Sequence, residues 1–309
     1  MNRLLVTEGR GSFKEIEYKC SKLGPNDVKV RSVLTGICRS DIDMMVGKFG
    51  PLPVHMSGHE GLGQVIKLGS NVNDVEVGEF VATRGEPAYA DVYVAKHREF
   101  VVVPEAHPKY ILEPIACGIN CLTQPMSQVA NWPEHPHILI IGSGFLAQVA
   151  YQAIRLLQME SASITVVGSH SLDRWKKLGK KLVTSCNELP KNKKYDVILD
   201  LATWGLDVFG SPLLANNGLY ILAAEKHPQV VTSFASMIWG AATIICPSPR
   251  HEGFYSAMCY AATWVRRGIL DVDGLWTQGY SRDTQWQQAF ADGLHRPPNY
   301  SRGYLDWRQ

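Results

Sequence analysis

One short unit near the middle of the chain constrains the fold most. His137 to Ile141 is an apolar run of strand length, and Gly142-Ser143-Gly144-Phe145-Leu146-Ala147 follows it directly. Leu146, Val149, Ala150, Ala153, Ile154 and Leu157 then recur at helical spacing. A strand, a glycine turn and an amphipathic helix in that order open a doubly wound parallel sheet. The first glycine permits a tight turn, and the second lets a diphosphate approach the backbone. Ala147 is small enough for the helix to lie against the sheet. The helix N-terminus adds free N–H groups and a favourable dipole for an anion. The pattern alone is weak. Between a strand and a helix it predicts a dinucleotide site made by Gly142, Gly144, Phe145, Leu146 and Ala147.

The neighbouring sequence continues in the same style. Strands are expected at Ile164 to Val167, Asp196 to Leu201, Gly218 to Ala223 and Thr243 to Cys246. Helices are expected near Ser171 to Lys181 and from Gly253 to Arg267. The earlier part of the chain reads differently. Short alternating runs at Lys14 to Tyr18, Val28 to Leu34, Leu62 to Leu68, Glu79 to Thr83, Tyr89 to Ala95 and Phe100 to Val103 are broken by Gly and Pro. That is the texture of a barrel-like β domain. Arg39 to Val46 reads as a short helix and Tyr110 to Leu122 as a longer one. Pro125 to Pro136 reads as a linker. Thr284 to Leu294 reads as a helix and Ser301 to Trp307 as a closing strand that rejoins the first domain. The expected division is residues 1–124 with 270–309 in one domain, and 125–269 in a nucleotide domain inserted into it. The 309 residues suit two domains of roughly 150 each.

An acidic residue is expected about 20 or more residues past the glycine turn, to hold the adenosine ribose diol. The second strand ends instead on Gly168, Ser169 and His170. This leaves room for a 2′-phosphate, with Ser169, His170, Arg174 and Lys176 as donors. NADP(H) is therefore favoured over NAD(H). The alternative is that Asp173 holds the ribose and the nearby cations are a solvated helix face.

Charge narrows the partners. The net charge is +2, which makes no case for nucleic acid or a polybasic membrane patch. No apolar run reaches the ~18 residues of a membrane span, and the start lacks the apolar segment of a signal peptide. A cytoplasmic location is the expectation. The seven cysteines are an odd number without a C-x-x-C pair, which is neither a disulfide framework nor a four-cysteine metal site.

Gly36 to Gly69 brings Cys38, His59, Glu60 and the Ser40 hydroxyl close together among glycines. Thiolate, imidazole and carboxylate suit a zinc ion that keeps an open coordination position. A lone cysteine or histidine is more often a core or hydrogen-bonded residue. The order and company of these residues carry the reading.

Gly36-Ile37-Cys38-Arg39-Ser40-Asp41, Gly58-His59-Glu60 with Gly63, Gly69 and Val72, and Val77-Gly78-Glu79-Phe80-Val81 resemble motifs of the medium-chain zinc-dependent alcohol dehydrogenases. With the Gly142 to Ala147 turn in place, the resemblance covers nearly the whole chain. Leu62 is a minor departure from the zinc signature. The resemblance implies an α/β chain: a barrel-like, β-rich GroES-like catalytic domain plus a Rossmann domain. It implies that Cys38 and His59 are zinc ligands and that Glu60 is a ligand or a ligand in waiting. Glu113-Pro114 resembles the motif of the polyol and sugar dehydrogenase branch, which makes Glu113 the expected third ligand and Cys117 the fallback. By the same resemblance Arg39 reaches the cofactor pyrophosphate and Asp41 supports a ligand. Ser40 passes the substrate proton, and Asp43 stands at the end of the relay where relatives often carry a histidine. Met44, Met45, Phe49 and His55 are candidate pocket residues.

The four-cysteine lobe of many relatives is missing, since only GEPAYADV lies between Arg84 and Tyr93, so one catalytic zinc is expected. The activity implied is hydride transfer between NADP(H) and a secondary alcohol or ketone of a polyol, sugar or cyclitol, in a homodimer. An aldehyde reductase of the cinnamyl-alcohol type is the nearest alternative, echoed by Gly168-Ser169-His170-Ser171. A dinucleotide-binding sensor without catalysis is an alternative of another class.

Overall fold

The computed structural model describes residues 2–49, 57–130, 132–157, 159, 161–202, 213–224 and 235–308. The chain divides into two compact units, residues 1–116 with 258–309, and residues 117–257. In the first unit β1 (Arg3–Thr7) and β2 (Phe13–Glu17) form an antiparallel hairpin. A larger sheet holds β3 (Val28–Gly36), β4 (Gly61–Leu68), β5 (Phe80–Thr83), β6 (Val92–Ala95), β7 (Phe100–Val103), β13 (Gln278–Ser281) and β14 (Gly303–Asp306). Its order is β13-β14-β3-β4-β5-β7, with β6 also on β3. The strand after residue 300 therefore does rejoin the first part of the chain, pairing Tyr304 with Gly36 antiparallel. Alternation drives these strands: Val28 and Val30 are fully buried while Arg31 faces solvent. The core gathers Leu4, Leu5, Val28, Val30, Tyr89 and Tyr93 from the strands and loops with Phe290 from a helix, Trp286–His295.

In the second unit β8 (His137–Ile141), β9 (Ser163–Val167), β10 (Tyr195–Asp200), β11 (Leu214–Leu222) and β12 (Thr243–Ile245) are all parallel. Their order, β12-β11-β10-β8-β9, is the 2-1-3-4-5 order of doubly wound sheets. Ile138 to Ile141 are fully buried, as a strand covered on both faces must be. Beyond β9, among the described residues, the ladder continues as a single bridge between Val167 and Val183. The winding reverses between β8 and β10, so the Gly142 to Ala147 turn stands at the switch point.

Two helices differ from the sequence reading. The helix that begins at Glu113 runs to Gln128, straight through Pro125. Pro125 offers no N–H to the carbonyl one turn back. The fully buried Ile115, Ile119 and Leu122 nevertheless hold the helix in place, and the Val129 N–H still closes on the Pro125 carbonyl at 3.0 Å. No linker opens at residue 125. The units divide inside this helix and inside the helix Phe254–Arg266, rather than at 124 and 269. The polar helix expected near Ser171 to Lys181 spans only Leu172–Lys177, and Gly179 at φ +67° stands just beyond its end. No helix among the described residues is long and apolar enough to cross a membrane.

Candidate metal centre and nucleotide turn

We label the helices that carry the site α1 (Arg39–Met45), α2 (Glu113–Gln128), α3 (Phe145–Leu156) and α4 (Leu172–Lys177). Strands β3 and β4 pair antiparallel, Thr35 with Gly61, and the Gly36 N–H donates to the Glu60 carbonyl at 2.9 Å. That pairing puts the residues just after β3 beside those just before β4. Cys38 caps α1 there, and His59 and Glu60 lead into β4. Each offers one ligand atom, and these atoms lie within 4.8 Å of one another. It is the one such group of three among the described residues. Glu113, at the start of α2, is buried but lies outside that group. Cys117 stands one turn further along α2 and is half-buried.

The charges are unusually well buried. Asp41 has no exposed surface, and burial raises its carboxyl above the ordinary range. Its Oδ2 accepts from the Cys38 N–H at 3.0 Å and from the Tyr89 hydroxyl at 2.7 Å. Its Oδ1 stands 3.6 Å from His59 Nδ1 and accepts no hydrogen bond. Burial by itself lowers the His59 imidazole. The charges of Asp41, Cys38 and Glu113 outweigh burial and hold it well above its usual value. A field that favours a proton so strongly at this point favours any cation there. The donor set, thiolate, imidazole and carboxylate, is a fit for zinc.

Glu60 is fully buried, and Arg302, the residue before β14, claims both its oxygens. Arg302 Nε donates to Oε2 at 3.3 Å and Nη2 donates to Oε1. Its guanidinium also lies over the Trp276 ring, 5.5 Å from the centroid. Gly36 makes room, because a Cβ there would overlap both Glu60 and Trp276. Sequence reasoning missed Arg302. A lone arginine 242 residues from its partner leaves no signal in one sequence.

Ser40, in the first turn of α1, is half-buried. Asp43 is buried and doubly paired: its Oδ1 accepts from Arg39 Nε at 3.1 Å and from Lys48 Nζ at 2.8 Å. Arg39 is thus held along its own helix by Asp43. Of the candidate pocket residues, Met45 lies in the core, Met44 and Phe49 are half-buried, and His55 falls outside the described residues.

In the second unit Gly142 has φ +109°, a conformation that requires glycine. Gly144 is different. As N-cap of α3 it has an ordinary φ of −77°, and a Cβ there would meet nothing within 4 Å. The protein's own packing does not call for a glycine at 144, whereas a ligand lying on the backbone would. Within α3, Ala147 and Phe145 are buried and Leu146 is half-buried. Ser143 braces the turn: its Oγ accepts from the His170 N–H at 3.0 Å and its carbonyl from Trp175 Nε1 at 2.9 Å. Gly168 is needed for that brace, since a Cβ there would overlap Ser143. Ser169 and His170 are exposed and Arg174 is half-buried on α4. Asp173 is fully exposed, 3.8 Å from Lys176.

Residues 24–112 match the family model described as the alcohol dehydrogenase GroES-like domain. The L-threonine 3-dehydrogenase of Cutibacterium acnes is 23% identical, over 94% of this chain and 94% of its own length. The D-arabitol-phosphate dehydrogenase of Enterococcus avium is 25% identical, over 89% of each. A zinc-binding dehydrogenase of Sinorhizobium meliloti solved with NADP superposes with a TM-score of 0.72 at 15% identity, over 99% of both chains. The β sheet that aligns Cys38 with His59, the 2-1-3-4-5 sheet with its glycine turn, and these likenesses agree: residues 24–112 match the alcohol dehydrogenase GroES-like domain, and nearly the whole chain is similar to medium-chain dehydrogenases, which are oxidoreductases.

Proposed function

We propose that this oxidoreductase transfers hydride between NADP(H) and a secondary alcohol or ketone of a polyol, sugar or cyclitol. The observation that carries the reading is the convergence of Cys38, His59 and Glu60 within 4.8 Å in a buried, electronegative setting. Cys38 and His59 would hold zinc, with Glu113 or Glu60 completing the set. Zinc supplies a Lewis acid for the substrate oxygen, and the nicotinamide supplies the hydride acceptor or donor.

The chain's own residues do the rest. Ser40 has a hydroxyl on the half-buried first turn of α1; it accepts the alcohol proton through a hydrogen bond while giving up its own hydroxyl proton toward solvent. Asp43 pairs with both Arg39 and Lys48 and so holds Arg39, the residue the family resemblance assigns to the cofactor pyrophosphate, along α1. Gly142 sets the turn, and Gly144 leaves the α3 N-terminus open to the pyrophosphate. The preference for a 2′-phosphate rests on the end of β9. Gly168, Ser169 and His170 offer no carboxylate there, while Asp173 stands on an exposed face of α4 beside Lys176. The polyol class rests on the Glu113-Pro114 motif and on the likeness to an arabitol-phosphate dehydrogenase.

Metal analysis of protein purified without chelator tests the centre. About one zinc per chain is expected, and Cys38→Ser should lose the metal and turnover while NADPH binding survives. Full turnover in Cys38→Ser would sink the reading. Turnover of a polyol, sugar, cyclitol and aldehyde panel with both cofactors tests the rest. A higher kcat/KM with NADH, or aldehydes as the best substrates, would overturn the corresponding part.

A further inference from the structure

Tyr89 has no place in the proposed chemistry, yet it is fully buried with its hydroxyl facing two acceptors, Asp41 Oδ2 at 2.7 Å and, at the longer distance of 3.2 Å, the Gly36 carbonyl. Its ring sits edge-on to Phe13 at 5.9 Å and to Phe290 at 5.5 Å, and those two rings stack at 3.9 Å. A hydroxyl is not needed to fill such an aromatic slot; phenylalanine would do. Gly58, at φ +75°, is the floor of the slot. A Cβ there would come within 2.6 to 2.8 Å of the Tyr89 ring. The residue just before His59 is thus shaped around Tyr89.

The hydroxyl points out of this slot at Asp41. Asp41 Oδ2 is supplied twice, by Tyr89 at 2.7 Å and by the Cys38 N–H at 3.0 Å. The second oxygen, Oδ1, is buried and accepts no hydrogen bond. A buried carboxylate oxygen left without a donor is costly. His59 Nδ1 stands 3.6 Å from it. A carboxylate held at one oxygen has its other oxygen aimed. Here it is aimed at the ring nitrogen that must carry the proton if the opposite nitrogen is to bind a metal.

We infer that Tyr89 is a positioning residue of the metal centre: its hydroxyl locks Asp41, and Asp41 in turn fixes the orientation and tautomer of His59. The inference rests on the proposed zinc site and adds a residue 30 positions beyond His59. Tyr89 touches neither metal nor substrate. It acts through Asp41.

Tyr89→Phe keeps the ring and removes only the hydroxyl. Zinc affinity, read by competition with a chromophoric chelator, should weaken about tenfold. The visible spectrum of the cobalt-substituted protein should shift, and NADPH affinity should stay the same. Asp41→Asn should weaken zinc at least as much, and adding Tyr89→Phe to it should cost little more, because both act through one carboxylate. Phe13→Leu is the control: it loosens the slot without touching the hydroxyl, and should lower thermal stability with zinc affinity unchanged. Unchanged zinc affinity and cobalt spectrum in Tyr89→Phe would overturn the inference. So would additive losses in the double variant, or equal weakening by Phe13→Leu. If the unsubstituted protein itself takes up no zinc, the underlying reading of the site fails instead, and the inference falls with it.

Discussion

The candidate metal centre and the candidate nucleotide turn are built on opposite principles. The nucleotide turn is made of backbone. Gly142 supplies a conformation, Gly168 a space and Gly144 an opening, all within or just after two neighbouring strands. The metal centre is made of buried charge. Asp41, Glu60 and Glu113 are all buried, and side-chain partners of the first two come from far along the chain. Tyr89 reaches Asp41 across 48 residues and Arg302 reaches Glu60 across 242. A backbone site tolerates no side chain where space is missing. A charge site tolerates no missing partner.

The sharpest break in this contrast is Arg302→Ala. It would leave Glu60 buried and uncompensated, at a cost of about 3–5 kcal/mol in urea unfolding of the metal-free protein. Glu60→Gln in the same background should recover part of the loss, and zinc another part. A loss under ~1 kcal/mol would mean that the pair does not organise the centre. On the backbone side, Gly168→Ala forces a methyl against Ser143 and should cost about 1–3 kcal/mol by overpacking. Thermal unfolding with and without NADPH would read both the stability and the loosened turn.

Asp27 is the milder case of a charge site. It is buried, and its carboxylate accepts from Lys96 Nζ at 2.8 Å, from the His97 N–H at 3.3 Å and from the Gly24 N–H at 3.2 Å. Burial alone would raise this carboxyl. The Lys96 ammonium and the two N–H groups outweigh burial and hold it below its ordinary value. The pairing therefore stabilises the fold fully at neutral pH and fades as pH falls through that lowered value. Asp27→Asn should cost about 1 kcal/mol at pH 7 and flatten the acid limb of the stability–pH curve. An unchanged acid limb would show that the cluster carries no pH-dependent stability.

Gly144→Ala should have the smallest effect on the fold, within about 0.5 kcal/mol, because a methyl there meets nothing. NADPH titration should nevertheless show weakened binding. Binding unchanged by the methyl would remove the ligand explanation for this glycine.

Much of the chain was open to sequence reasoning where its order is local. The strand, glycine turn and helix at His137 to Leu156 follow from period and turn chemistry within twenty residues. Cys38, His59 and Glu60 were legible as a candidate ligand set because thiolate, imidazole and carboxylate are rare company, and the fold brings the three together. The misses have physical causes. β1, RLLVT, lacks clear alternation and is held by its partner strand and by a bridge from Leu4 to Ala90. β13, QGYS, has no strand pattern of its own and exists because β14 pairs with it. Pro125 was read as a break, yet buried contacts along α2 outweighed the lost hydrogen bond.

Residue type and spacing by themselves thus determined which elements form, which side chains are candidate metal ligands, and which glycine turn is the candidate diphosphate site. They determined this because helix and strand periods, turn conformations and ligand chemistry are properties of neighbours in sequence. Only the tertiary structure decided how the buried charges are satisfied: Tyr89 on Asp41, Arg302 on Glu60, and Arg39 with Lys48 on Asp43. A buried charge takes whatever partner the fold brings within about 3 Å, and sequence separation places no limit on which residue that is.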